Sequence, residues 1–229
     1  ERLVRTSVFR LAKEEWLQTQ TQGRRANYQL TAVGRRRFEE ASRHIYAAGA
    51  PEWDHRWRLV STVGDINART REALRRSMAW QGFGELAVGL FVHPSADLDV
   101  CLEALQSDGL ATVLPQLMPL LAANPCTAVS ATDADVVRKA WDMDLLAQGY
   151  TGFLEQYQPV LSELRGRRSS RLDGQSAFVA RILMIHDFRR LLLRDPELPA
   201  VLLPAKWPGQ KARDLCRDLY QRLLPASEG

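Results

Sequence analysis

The amino-acid sequence predicts an α+β multidomain protein, and three patterns support this class. Residues 1–46 combine two helical patterns with a short pair of extended segments around a glycine. Residues 51–131 alternate between apolar segments of strand length and amphipathic helical segments. Residues 132–229 have helical spacing of their apolar residues, which predicts a helical domain. With 229 residues, 45% of them apolar and 25% charged, the chain can form two or three small cores.

The N-terminal elements follow from side-chain spacing. Residues 1–17 carry apolar side chains on one side and Arg, Thr and Lys on the other, which predicts an amphipathic helix. Residues 19–31 alternate on both sides of Gly23, which predicts a hairpin with a basic tip. Thr31 is a suitable N-cap for a second helix over 32–46. Because the chain begins inside a helical pattern, we expect a preceding segment of the same domain.

The central elements follow from a change of pattern after residue 51. Residues 56–63 and 84–92 are apolar enough to form buried strands, and residues 127–130 fit a further short strand. Residues 68–81 and 97–106 have the spacing of amphipathic helices. This order predicts a sheet with helices packed on one face.

The last third of the chain predicts helices separated by loops. A break is expected near Gly149 and Gly152, and a proline-rich connector over 194–209 precedes the final helix. The predicted helices cover residues 136–148, 153–164, 176–194 and 211–224.

The basic residues are concentrated at the N-terminal end. Residues 1–43 contain ten Lys or Arg and five acidic residues, whereas the rest of the chain carries 21 basic and 22 acidic residues. The net charge of +4 therefore comes entirely from the first segment. A cationic segment on a nearly neutral body is typical of proteins that bind a polyanion, most often nucleic acid.

The order helix, basic glycine-tipped hairpin and helix matches the second half of a winged helix-turn-helix. A recognition helix packs its apolar face on its own domain and directs polar side chains to bases and phosphates. Arginines at a hairpin tip can reach phosphates or the minor groove. The predicted DNA-binding residues are Arg2, Arg5, Thr6, Arg10 and Lys13 on the helix, and Arg24, Arg25 and Tyr28 on the hairpin.

Motifs along nearly the whole chain resemble the PaaX family, repressors of phenylacetic acid degradation operons. They are RTSVFRLAKEEWL (5–17), WQGFGELAVGLFVHP (80–94), AWDMDLLAQGYTGFL (140–154) and RDPELPAVLLPAKWPGQKARDLCRDLY (194–220). The resemblance implies a partial winged-helix DNA-binding domain over 1–46, a ferredoxin-like α+β domain over 51–131 and a helical domain over 132–229. It also implies a homodimer that binds double-stranded operator DNA and is released by an aryl-CoA thioester such as phenylacetyl-CoA.

An effector of that kind needs cations for its phosphates and an apolar surface for its acyl group. We expect its site where the central and C-terminal domains meet, because ligand sites favour domain junctions. A solvated loop is the alternative for the arginine run, and a hydrogen-bonded core histidine is the alternative for His186. The candidate residues are Trp57, Arg165, Arg167, Arg168, Arg171 and His186.

Two functions of other classes remain open. The resemblance links the central layer to CRISPR-associated ferredoxin-like nucleases, and Asp65 follows its first strand as a nuclease carboxylate would. A loop aspartate is the simpler interpretation, because one carboxylate does not make a metal site. A protein-interaction module would instead pack the basic end against an acidic partner.

Sequence motifs of the common enzyme classes are absent. The chain has no GxSxG, Walker loop, GxGxxG or HExxH motif, and its three cysteines have no metal-ligand spacing. No apolar run approaches the roughly 20 residues of a membrane span, and no signal peptide is recognisable. We therefore expect no enzymatic activity, no metal, no cofactor and no membrane contact, and a cytoplasmic location.

Overall fold

The computed structural model describes residues 2–13, 16–22, 25–35, 52–124, 129–166 and 173–228. It contains α-helices and two antiparallel sheets, which confirms the α+β class. In this part of the chain no helix is long and apolar enough to cross a membrane.

The chain begins with a helix and a hairpin. Helix α1 (Arg2–Lys13) is followed by strands β1 (Leu17–Gln22) and β2 (Arg25–Leu30), which pair antiparallel from Leu17–Leu30 to Gln22–Arg25. The register leaves a connection of two residues and confirms the predicted hairpin. The predicted helix over 1–17 is too long, because Leu17 already pairs with Leu30 and the carbonyl of Trp16 accepts a hydrogen bond from the Thr31 amide at 3.0 Å.

Thr31 caps the helical turn over residues 32–35, as predicted. Its hydroxyl accepts a hydrogen bond from the Gly34 amide at 2.9 Å. Gly34 is buried against the backbone of Trp16, where a Cβ would collide with the carbonyl oxygen. The rest of the helix predicted over 32–46 lies outside the described residues.

A four-stranded antiparallel sheet forms the middle of the molecule, with strand order β4-β5-β3-β6. The chain alternates strand, helix, strand, strand, helix and strand. The elements are β3 (Trp57–Thr62), α2 (Ala68–Trp80), β4 (Gly84–Ala87), β5 (Leu90–His93), α3 (Leu98–Leu105) and β6 (Leu117–Ala122).

The single strand predicted over 84–92 is wrong, because a tight turn divides it into β4 and β5. Gly89 occupies the turn with φ +75, a conformation that side chains other than glycine rarely adopt. A Cβ at Gly89 would collide with the Thr62 hydroxyl of the neighbouring strand. The continuous apolar run hid this turn, since only the backbone geometry of one glycine marks it.

The last strand of the sheet lies earlier than predicted. Residues 129 and 130 form a turn and a bend, and residues 127 and 128 are outside the described part. The strand is β6, where Pro119 lies opposite Val60. Proline lacks an amide proton, but β6 is an edge strand and tolerates it.

Helices dominate the last third of the chain, with a short 3₁₀ turn at Ala200–Leu202 in the proline-rich connector. They are α4 (Asp133–Ala140), α5 (Met143–Arg165), α6 (Gly174–Leu192) and α7 (Gly209–Glu228).

The predicted break near Gly149 and Gly152 is wrong, because α5 continues through both glycines. The break is at Asp142 instead, whose side chain accepts the Leu145 amide at 3.0 Å and caps α5. A glycine inside a helix costs only about 1 kcal/mol, which tertiary packing offsets. Gly149 packs closely on Leu191 of α6, where a Cβ would lie 2.7 Å from the Leu191 Cδ2.

The sheet is covered on both faces. Val60 and Phe91 pack with Leu74 of α2 and Leu105 of α3, which confirms the helices predicted on one face. The other face contributes side chains, including Trp57 and Val92, to a core shared with α4 and the connector. A third core joins α5, α6 and α7 around buried residues that include Tyr150, Phe153, Met184 and Leu219.

Candidate nucleic-acid interface and domain-junction cleft

The outward side of α1 presents basic and polar side chains. The helix contains four Arg or Lys residues and no acidic residue among its twelve. Its opposite side is half-buried at Val8, Leu11 and Ala12, as expected for an amphipathic helix. Arg2 belongs to α1, but its side chain is outside the described part. The exposed polar residues of the helix are Arg5, Thr6, Arg10 and Lys13.

An exposed aromatic residue stands among these basic side chains. Phe9 is 73% exposed and lies one helical turn from both Arg5 and Lys13, so the three share one strip of α1. An apolar side chain beside arginines on a recognition helix can contact the methyl group of thymine. The sequence reasoning missed Phe9, although its spacing of four residues from Arg5 and Lys13 carried the signal.

The hairpin β1–β2 is polar on both sides. Tyr28 is 49% exposed and lies opposite Thr19, and the neighbouring Asn27 and Gln29 are also exposed. Arg25 pairs with Gln22 in the ladder, but its side chain is outside the described part. Gly23 and Arg24 lie outside the described residues. The described hairpin therefore supplies mainly hydrogen-bonding groups, beside the exposed side chains of Tyr28 and Leu30.

One aromatic contact connects the hairpin to the central sheet. The Trp16 ring, just before β1, meets the Trp80 ring at the end of α2 edge to face, with centroids 6.1 Å apart. The same two side chains line a cleft of about 480 Å³ together with Arg76, Ser77 and Asp108. The Ser77 hydroxyl donates to Asp108 at 2.6 Å and holds that wall in place.

Trp57, a predicted effector residue, lies in the core between the sheet and α4. It is 4% exposed, and its indole N–H donates to the Asp133 carboxylate at 2.8 Å. Its ring packs on Trp53 and Trp141, with centroids 5.3 and 6.4 Å away. These contacts join β3 to the start of the helical segment.

The other predicted effector residues have different neighbours from Trp57. Arg165, at the end of α5, pairs with Asp218 of α7. His186 is exposed on α6, so the alternative of a core histidine is wrong. The buried stripe of α6 runs through other residues, including Met184 and Phe188. Arg167, Arg168 and Arg171 lie outside the described residues.

The structure forms a cleft at the junction of the central and C-terminal segments, where the sequence analysis expects the effector site, but its lining contains none of the described effector candidates Trp57, Arg165 and His186. It has a volume of about 550 Å³ and lies between the C-terminal end of α2, strand β4 and the residues that follow α6. The Trp141 indole N–H donates to the Gly82 carbonyl at 3.0 Å across this junction. The side chains that surround the cleft include Arg75, Arg76, Trp80, Phe83, Trp141 and Arg194.

Comparison with known proteins identifies relatives over almost the whole chain. Family models described as PaaX-like protein, PaaX protein central Cas2-like domain and PaaX-like protein C-terminal domain match residues 1–34, 50–117 and 141–229. The Transcriptional repressor PaaX of Escherichia coli (strain K12) is 36% identical over 227 residues, which cover 99% of this chain and 70% of that protein. This chain belongs to the PaaX family.

A solved structure of an uncharacterized protein from Mycobacterium tuberculosis resembles this PaaX-family chain in fold. The two are 23% identical in sequence, with a TM-score of 0.55, and the match covers 100% of this chain and 83% of that chain. At this level of identity, the similarity concerns the fold alone.

The central sheet of this PaaX-family chain contains few groups suited to nuclease chemistry. Asp65 is exposed in the loop after β3. Among the described residues, no group of three or more His, Cys, Asp or Glu side chains could hold a metal ion. His93 ends β5; it is buried, and its Nδ1 accepts hydrogen bonds from the amides of Ser95 and Ala96 at 3.0 and 2.8 Å.

Proposed function

We propose that this protein is a DNA-binding transcriptional repressor of an operon for phenylacetate catabolism. One observation carries the proposal: α1 exposes basic side chains along one side, next to a polar hairpin, in a chain related to a transcriptional repressor. A helix of 12 residues is about 18 Å long and fits the major groove. Such a protein acts in the cytoplasm, where its operator is.

In this proposal, α1 is the recognition helix and β1–β2 is the wing of a winged helix-turn-helix. Arg10 and Thr6 read base edges, and Arg5 and Lys13 contact bases or phosphates beside them. Phe9 adds an apolar contact in the same strip. Arg2 extends the helix face, and Arg24, Arg25 and Tyr28 of the hairpin contact the backbone or the minor groove.

The central sheet belongs to the ferredoxin-like class in this proposal. The order β-α-β-β-α-β and the sheet order β4-β5-β3-β6 support the assignment, because the two helices cover one face of an antiparallel sheet. The first and last strands of the motif, β3 and β6, lie side by side in the sheet.

The repressor acts as a homodimer in this proposal. The edge strand β6 exposes three large apolar side chains, Met118, Leu120 and Leu121. An exposed apolar edge strand offers unpaired backbone groups to another chain. A second copy of the chain pairs the free backbone groups of β6 and buries its apolar side chains. The two-fold axis then presents paired recognition helices to two half-sites.

An aryl-CoA thioester such as phenylacetyl-CoA releases the repressor from its operator. The thioester binds more tightly to a conformation in which the two recognition helices no longer match the half-sites. Its effect is limited to its difference in affinity for the two conformations.

The decisive experiment measures duplex binding over a range of salt concentrations. A DNA duplex is first selected from a random pool with the unchanged protein and is then titrated by fluorescence anisotropy. Arg10→Ala should weaken binding to the selected duplex by about 1–3 kcal/mol and reduce discrimination against random duplexes. Arg24→Ala or Arg25→Ala should weaken binding to all duplexes and reduce the salt slope by about 1.

Lys139→Ala is the charge-matched control, because Lys139 is exposed on α4 away from the reading helix. It should bind like the parent protein. A protein that ignores duplex DNA at low salt would favour the protein-interaction alternative. DNA or RNA cleavage with Mg²⁺ that is lost in Asp65→Ala would favour the nuclease alternative.

A further inference from the structure

We propose that the cleft at the junction of α2, β4 and the residues after α6 binds an anion that carries an aromatic ring. We further infer that Trp80 couples occupancy of this junction cleft to the hairpin. The volume of about 550 Å³ is in the range of small-molecule sites. The inference rests on the proposed repressor function only in making this ligand the effector; binding itself does not depend on it.

Two arginines provide the positive charge for the anion. Arg76 projects from α2 and Arg194 follows α6, and both line the junction cleft. The guanidinium groups of these two residues make no hydrogen bond or ion pair with the part of the chain that the structure describes. Arginine suits this role because its planar fork binds a carboxylate or phosphate with two hydrogen bonds.

The acidic residues of the junction cleft already have partners. Glu85 forms an ion pair with Arg75 at 2.9 Å. Asp142 caps α5 through the Leu145 amide, and Asp195 accepts the Tyr150 hydroxyl at 2.5 Å. These three carboxylates equal the three arginines of the lining in formal charge, but among the described residues of the cleft only Arg76 and Arg194 have guanidinium groups without a partner, so these two groups can bind the anionic group of a ligand.

Aromatic side chains form the apolar walls. Trp80, Phe83 and Trp141 line the junction cleft, and the hydrogen bond from Trp141 to the Gly82 carbonyl fixes the indole in place. Aromatic rings prefer offset or edge-to-face contact with other rings. A ligand with an aromatic ring and an anionic group can pack on the aromatic walls and bind the arginines at the same time. A neutral aromatic ligand would lack the contact with the arginines, and an aliphatic anion would lack the ring contact.

The position of Trp80 suggests how binding reaches the hairpin. Trp80 and Arg76 are one helical turn apart on α2, and both also line the neighbouring cleft that contains Trp16. Trp80 therefore lines the junction cleft, and its ring also contacts the Trp16 ring edge to face. Because Trp16 lies between α1 and β1, a shift of Trp80 on ligand binding changes the orientation of the recognition helix relative to the body.

Calorimetry without DNA tests the binding site. Phenylacetyl-CoA, phenylacetate and CoA alone are the three probes. The parent protein should bind phenylacetyl-CoA or phenylacetate, and Arg76→Ala and Arg194→Ala should each lower that affinity about 10- to 100-fold. Arg76→Lys should recover part of the loss because it restores the charge. Arg69→Ala, a change of an exposed arginine in the first turn of the same helix, should bind within about 2-fold of the parent.

The outcomes separate the site from the proposed function. Three outcomes would overturn the assignment of the site. In the first, none of the three probes binds; in the second, CoA and phenylacetyl-CoA bind equally and phenylacetate does not bind. In the third, the affinity is unchanged in Arg76→Ala and Arg194→Ala. Binding of phenylacetate alone supports a free aromatic acid, and binding of phenylacetyl-CoA alone supports the thioester. A parent protein that does not bind duplex DNA would overturn the repressor function, but the results on ligand binding would remain valid.

A variant of the hairpin contact tests the coupling. Trp16→Phe should bind the ligand with the same affinity as the parent. The ratio of duplex affinities without and with ligand should, however, be at least 5-fold smaller in Trp16→Phe than in the parent. The matched variant Trp53→Phe alters a half-buried tryptophan that lines neither of these two clefts and should retain the full ligand effect. An undiminished ligand effect in Trp16→Phe would overturn the coupling role of Trp80.

Discussion

The Tyr150 hydroxyl donates a hydrogen bond of 2.5 Å to Oδ2 of Asp195, and both residues are buried. The bond ties the middle of α5 to the residues that follow α6. The other carboxylate oxygen of Asp195 accepts the Glu197 amide at 2.9 Å, and the Glu197 side chain pairs with Arg213 of α7. Since Asp195 also lines the junction cleft, this network holds one of its walls.

Removal of the Tyr150 hydroxyl should destabilise the protein. Tyr150→Phe leaves a buried carboxylate oxygen without its donor, so we expect a loss of about 1–3 kcal/mol in the free energy of unfolding. Tyr157→Phe is the matched control, because the Tyr157 hydroxyl donates to Asp187, which is only half-buried and can bind water instead. Urea denaturation should show the larger loss for Tyr150→Phe, and an equal loss would contradict this explanation.

Stability should fall in alkaline solution because of the same tyrosine. Burial, and then the Asp195 carboxylate, raise the pKa of Tyr150 well above its ordinary value. The folded protein therefore favours the neutral phenol. This contribution is complete below about pH 10, the usual tyrosine pKa, and is lost as the pH rises further, because the unfolded chain then releases the proton. Between pH 10 and 11 the free energy of unfolding should decline less steeply in Tyr150→Phe, by up to about 1.4 kcal/mol per pH unit.

Three glycine-to-alanine changes should have effects of different size and sign. Gly89→Ala combines positive φ with a collision on Thr62, so it should cost about 2–4 kcal/mol. Gly109→Ala has φ +80 but no heavy atom within 4 Å of the new Cβ, so strain alone should cost about 1 kcal/mol. Gly152→Ala lies in α5 with open space around it and should stabilise the protein by about 0.5–1 kcal/mol. A loss for Gly89→Ala that does not exceed the loss for Gly109→Ala in thermal denaturation would contradict the close packing of the β4–β5 turn on Thr62.

The thiols of Cys101 and Cys216 should react slowly while the protein is folded. Burial raises the pKa of Cys101 to about 12 and that of Cys216 to about 11. The thiolate is the reactive form, so at pH 8 both should react roughly 10²- to 10³-fold more slowly than in urea. The measurement uses a thiol reagent on Cys126→Ser, because Cys126 lies outside the described residues. Equal rates in folded and unfolded protein would show that these thiols are accessible.

Charge on the edge strand should separate the proposed dimer. Leu121→Lys places an ammonium group on an exposed position of β6, so we expect a shift toward monomer in light scattering at micromolar protein. Val201→Lys changes an apolar residue that is even more exposed but lies away from the sheet edge, and it should leave the mass of the assembly unchanged. A monomeric parent protein would contradict the dimer. A Leu121→Lys variant that remains dimeric would show that the interface lies elsewhere.

Elements with a local signal were predicted from the sequence. The hairpin β1–β2 and the Thr31 cap depend on residues close in sequence, and the structure contains both. The β4–β5 turn and the continuous α5 were missed because their signals are not local. The Thr62 side chain, on another strand, lies against Gly89, and the Leu191 side chain, on another helix, lies against Gly149.

The candidate sites show the same division. The basic strip of α1 was visible because all its members lie within one helix, where spacing of three or four residues puts side chains on one side. The sequence predicted a site where the central and C-terminal domains meet but not the residues that line the junction cleft, because these come from segments far apart in the chain. Arg76 and Trp80 end one helix, Trp141 precedes another, and Arg194 follows a third. Tyr150 and Asp195 are likewise 45 residues apart.

By itself, the amino-acid sequence determined the α+β class, the amphipathic α1, the basic hairpin and the family. Each of these depends on periodicity, charge or motifs that are written along a short stretch of chain. Only the tertiary structure decided where the strands of the central sheet end, that the second face of this sheet is covered by the C-terminal segment, and that Arg76 and Arg194 share a cleft with aromatic side chains. These features depend on which distant side chains meet, and that is set by packing of whole elements rather than by the order of neighbouring residues.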